Sequence, residues 1–170
     1  MGRLSILFIF ICIVSDGFAQ DSVEIAYKKN FERRIKLSRI DDVYIPINIE
    51  DAIKELIRLT EPEARKKLTT VPEDTIASKL HFSLGRWILI NWGFEQGSRL
   101  SYYFIQQGLA DKDDMIDIIL RCFYRHLNSQ PLDEKSLIDT YIKKQKEKHE
   151  ERKKKAKVIK TIKPGELHNE

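Results

Sequence analysis

Four aspartates fall at positions 111, 113, 114 and 117. Clustered carboxylates can hold a hard cation or share a proton. A calcium loop, however, needs glycine at its sixth position and usually glutamate at its twelfth. Counted from Asp111, those positions hold Ile116 and Cys122. The simpler use of the cluster is to start a helix, where carboxylates satisfy free amides and suit the dipole. Asp113 and Asp114 stay as candidate binding residues. With a histidine they also form the acid–base set of a small hydrolase-type or metal-assisted enzyme.

Cys122 and His126 stand four apart and so share a helix face. Zinc needs three or four ligands, and only His81 could join them from the core. A buried cysteine beside a half-buried histidine is the favoured reading. His149 and His168 lie in the charged tail. Ser83, Ser98 and Ser101 lack the Gly-x-Ser-x-Gly setting of a hydrolase nucleophile. There is no phosphate-cradling glycine loop and no dinucleotide fingerprint. The sequence therefore assigns no catalytic set, no metal site and no cofactor.

The densest polar–aromatic group is Arg86, Trp87, Asn91, Trp92, Arg99, Tyr102 and Tyr103. Aromatics beside arginine make protein-binding hot spots. Against this, the tryptophans and Tyr103 could simply fill the core, with Asn91 tying down a turn. Arg86, Asn91, Trp92, Arg99 and Tyr102 are the candidate binding residues from this group, alongside Asp113 and Asp114.

The elements that position these residues are helical. Ile49, Ala52, Ile53, Leu56, Ile57 and Leu59 recur at helical spacing behind Asn48, a good cap. Ile47 is placed to staple over Ala52, and Thr60 with Glu63 reads as a capping box before Pro62. A longer helix from Pro72 or Asp74 reaches Asn91, with Gly85 inside it to admit a close neighbour. Gly93 ends that helix, Ser98 caps the next, and Gly108 closes it. The helix over 113–128 is apolar nearly all round and should be the most buried. A last helix starts near Leu132 and loses its apolar stripe after Ile142. Asp41–Ile47 reads as extended, and residues 20–40 as either a loose leader or a short helix. No strand is long enough to build a sheet.

Arg3, the apolar run Leu4–Val14 and small residues before Ala19 read as a secretory signal over residues 1–19. The run is too short to span a bilayer, so no transmembrane span is expected once the signal is removed. Cys122 would then be the only cysteine, without a disulfide partner. From Tyr141 onward ten lysines and one arginine face five glutamates, so this end carries +6 against an overall +4, and the rest is acidic. A basic tail can contact anionic surfaces weakly. Export argues against nucleic acid, and the tail lacks aromatics interleaved for base stacking.

Asn91-Trp92-Gly93-Phe94, Ser98-x-Leu100, Tyr103-Phe104, Gly108-Leu109, Asp113-Asp114-Met115 and Ile118-Ile119-Leu120 carry a resemblance. They resemble an uncharacterised bacterial domain family of small, often exported proteins, over roughly Asp41–Tyr141. Relatives often have arginine where Ile90 stands and proline where Lys112 stands. The resemblance implies a compact helical domain and an exported bacterial protein, and it implies no activity.

The expectation is an all-α, single-domain bundle of five to six helices over residues 41–142. A leader over 20–40 precedes it. A charged helical C-terminal extension and partly disordered tail (143–170) follow it. Export to the periplasm or beyond is expected. The leading function is a non-enzymatic binding module with a protein partner in the cell envelope.

Overall fold

The structure, a computed structural model, describes residues 15–161, with side chains described for 23–75 and 77–155. The apolar part of the expected signal (1–14) and residues 162–170 lie outside the described residues. The chain is mostly helical. Its elements are α1 (Ser15–Arg34), β1 (Arg39–Ile40), β2 (Val43–Tyr44), α2 (Ile49–Leu59), α3 (Pro62–Leu68), α4 (Glu73–Leu80), a π-helical turn (His81–Gly85), α5 (Arg86–Asn91), α6 (Arg99–Gln106), α7 (Lys112–Leu127) and α8 (Glu134–Thr161). The π turn joins α4 and α5 into one run, which gives seven helical runs among the described residues. The run beyond the expected six is α1, formed from the last residues of the expected signal (15–19) and the leader. The two short strands pair antiparallel around Asp41 and Asp42, both at positive φ, so the segment read as extended is a small hairpin.

α7 is the centre. Met115, Ile116, Ile118, Ile119, Leu120, Cys122 and Phe123 are all buried on it. α4 and α2 pack against it most extensively, with the π turn and α8 next. Gly85 faces α7 so closely that a Cβ there would lie 2.9 Å from Ile116 Cγ2. That is the close neighbour expected from a glycine inside a helix.

Local signals set the helix ends. Asn48 accepts from the Asp51 amide at 2.9 Å, and Asp111 accepts from the Asp113 and Asp114 amides at 3.0 and 3.2 Å. Ser98 and Ser101 cap each other reciprocally. Gly93 takes φ 68° at the end of α5, where a side chain would be strained. Two expected devices do not form. The Thr60 hydroxyl turns back to the Leu56 carbonyl and Arg65 clasps Thr60, so Glu61 caps α3 without a side-chain bond. Ile47 is 52% exposed rather than stapled, because its amide is held outward by Asp51.

The leader is part of the body. Phe31 lies on Gly97, and Arg34 Nε donates to the Gly97 carbonyl at 2.9 Å. Ile40 is buried in the core. The far end of α8 leaves the body: residues 146–155 are exposed, and Lys153 pairs with Glu150 one turn away at 3.1 Å. No helix among the described residues is long and apolar enough to cross a membrane.

Candidate functional site

The π turn and α5 present one outward strip. Phe82 is 83% exposed and Ile90 60% exposed, with exposed Arg86 between them at intervals of four. Such turns widen a helix locally and recur at functional sites. Beside the strip His81 Nε2 approaches Asp113 Oδ1 to 3.7 Å. A hollow of about 140 Å³ lies there, floored by Gly85, Leu89 and Ile116 and rimmed by Phe82, Arg86 and Asp113. A second hollow of about 380 Å³ shares Leu89 and Asp113 and continues to Glu95, Ala110 and Lys112. Lys112 reaches Glu95 at 3.0 Å across its mouth. Together they form a shallow groove between α5 and the start of α7, apolar in its floor and lined at its rim by charges of both signs, Asp111, Asp113 and Glu95 with Arg86 and Lys112.

The other candidate residues go elsewhere. Trp92 is fully buried, edge-on to Trp87, with its indole Nε1 lacking a partner among the described residues. Its ring is core, as its size and apolar neighbours favour. Asn91 donates to the Trp87 carbonyl and holds the turn. Arg99 Nε donates to the Ile45 carbonyl at 2.6 Å, and its guanidinium sits 5.0 Å over the Tyr44 ring. Tyr102 lies edge-on to Phe31 of α1. Arg99 and Tyr102 tie elements together, Asn91 closes α5 and Trp92 fills the core; none of the four lines the groove with Arg86 and Asp113. The polar–aromatic reading of the sequence misses Phe82. Its one signal is an aromatic standing off the inward stripe of Leu80, Leu84 and Trp87.

The aspartates divide their work. Asp111 caps α7. Asp114 accepts from Gln145 of α8 at 2.7 Å, and partial burial holds its carboxyl above the usual range. Asp117 pairs with Arg121 at 2.8 Å and accepts the Tyr141 hydroxyl. Arg121 also meets Asp74 at 2.7 Å and Glu73 at 3.2 Å, and Arg125 meets Glu73 at 3.0 Å. Burial works against the Arg121 charge, but these carboxylates outweigh it and hold the group protonated. This network fastens α4, α7 and α8. Cys122 is buried, and desolvation pushes its thiol up to about 12, so it is no ready nucleophile. No group of three or more His, Cys, Asp or Glu side chains is placed to hold a metal ion among the described residues.

A further open groove lies between the α7 start and α8. Asp111, Asp113 and Asp114 form one wall, and Lys144, Lys148 and Arg152 are on the other. The basic extension thus passes along the acidic end of α7.

No curated protein and no solved structure matches the chain. The family comparison falls on residues 45–127, from buried Ile45 to the end of α7, which match the model of a domain of unknown function (DUF6794).

Proposed function

We propose that the protein is a non-enzymatic binding module that docks a protein partner through the Phe82–Arg86–Ile90 strip and the groove beside it. The supporting observation is Phe82. A phenylalanine 83% exposed, next to an exposed arginine and an apolar floor, loses water contact only when something covers it. The signal-like start supports export, and the cell envelope of a bacterium is the setting in which the partner would be met. Proteomic detection of a mature chain beginning at Gln20 would support the export part. An intact, cytoplasmic chain beginning at Met1 would overturn it.

The docking surface is tested by placing a photo-crosslinking amino acid at position 82 and, as a control, at exposed Glu63 on α3. A discrete adduct is expected at 82 and not at 63. Equal labelling at both positions, or none at 82, overturns the reading.

The His81–Asp113 approach is the observation favouring the second reading, a hydrolase-type or metal-assisted enzyme. Asp114 faces Gln145 instead, so the pair would act without it. Turnover of ester, phosphoester or peptide substrates that is lost in His81→Ala would favour the enzyme. Equal background rates in both proteins would exclude it for those substrates.

A further inference from the structure

We propose that the groove beside Phe82 takes the C-terminal segment of a second copy of this chain, residues 156–163. The proposal rests on the docking reading above and names the partner.

The groove sets three requirements. Its floor, Gly85, Leu89 and Ile116, takes small or branched apolar groups. Its rim carries Asp111, Asp113 and Glu95 beside two cations, Arg86 and Lys112, of which Lys112 is tied to Glu95, so Asp113 and Asp111 are the carboxylates that face a basic ligand. It is shallow, so the ligand is a narrow segment rather than a folded face. The sequence Ala156-Lys157-Val158-Ile159-Lys160-Thr161-Ile162-Lys163 interleaves apolar residues with lysines and meets all three. Charge points the same way at larger scale. The chain from Tyr141 onward carries +6 while the rest is net acidic, so tail and body of different copies attract.

The path of α8 selects a second copy over the same one. α8 runs back along α7, marked by Tyr141 at Asp117 and Gln145 at Asp114, with Lys148 and Arg152 opposite the first aspartates. From Arg152 to Thr161 the helix advances about 14 Å beyond that end. The helix, as far as Thr161, heads away from the chain's own groove, which lies on the α5 side of α7. A neighbouring copy offers the same groove without breaking the helix, and mutual exchange gives a closed dimer.

The test measures the mass of the full chain in solution by light scattering across concentration, in low salt. A concentration-dependent dimer is expected. Phe82→Ser and a stop after Lys155 should each make the protein monomeric, with unchanged helical circular dichroism per folded residue. Mixing the two should restore association as a one-to-one pair, because one contributes a tail and the other a groove. Asp113→Lys should weaken the dimer about tenfold, and Lys157→Glu with Lys160→Glu should recover it in part. A wild-type monomer at every concentration, or a dimer indifferent to the stop, overturns the proposal. If the position-82 crosslink then joins another protein, docking stands and self-association alone has failed.

Discussion

At the residue scale, Gly85 is set by packing. Its φ of −62° is ordinary helix, so glycine is not there for backbone freedom. It is there for space, since a Cβ would meet Ile116 at 2.9 Å and the Leu80 carbonyl at 3.4 Å. Alanine would gain about 1 kcal/mol of helix propensity. Overpacking a buried contact costs about 1–3 kcal/mol. We expect Gly85→Ala to be destabilising in urea melts, because Ile116 is itself enclosed on α7. A more stable variant would show that the two helices can part without loss. Ile119 has no such compensation. It is 0% exposed, so Ile119→Ala should cost about 2–5 kcal/mol, and a loss below about 1 kcal/mol would contradict its central position. Single residues are legible in the sequence where neighbours within a few positions decide them, as at the caps Asn48, Ser98 and Asp111 and the turn at Gly93. The candidate site is half legible on the same terms. Arg86 and Asp113 do share a groove. Trp92 and Arg99 do not join them, because a large aromatic and an arginine beside a turn serve the interior as readily as a partner.

At the element scale, α8 is held by phenols. Tyr103 of α6 donates to Glu134 at 2.7 Å, and Tyr141 donates to Asp117. Burial first, then the carboxylate partner, raises each hydroxyl to about 12. The sign follows from linkage. A group whose folded pKa exceeds its unfolded value stabilises fully below the unfolded value, near 10, and that contribution is lost as pH rises through about 12. Stability should therefore fall across this window as phenolates form beside carboxylates, and Tyr141→Phe should flatten that decline. An unchanged pH profile in the variant would mean that Tyr141 does not fasten α8. Arg121→Ala should cost about 1–3 kcal/mol by denaturant melt, since Asp117 and Glu73 would remain partly buried without their cation. A loss under about 0.5 kcal/mol would mean that water replaces the guanidinium freely. Elements differ in how far the sequence announces them. α7 is legible because burial on all sides demands its broad apolar pattern. α1 is not, because its pattern is weakly sided and its place comes from Phe31 and Arg34 meeting Gly97, 63 residues beyond Arg34.

At the scale of the whole molecule, α8 is one helix with two fates. Its first half belongs to the core: Ile138 is 2% exposed, and Leu137, Tyr141 and Ile142 pack against the same cluster. Gln145 makes the last bond to α7. Beyond it the described side chains are exposed and mostly charged, and pairs such as Lys153–Glu150 are worth only a few tenths of a kcal/mol. Cooperativity should therefore end near Gln145. A chain stopping after Gln145 should melt within a few degrees of the full protein under conditions where both are monomeric. A stop after Pro131 instead removes Ile138 from the core and the Tyr141 hydroxyl from Asp117. It opens the face of α7 that carries buried Cys122 and should abolish the cooperative transition, because several buried side chains at about 1.5–3 kcal/mol each outweigh the stability of an ordinary domain. If the chain ending at Gln145 lost its transition as well, the charged half of α8 would have to pack on the body, and it could not be free to reach another copy.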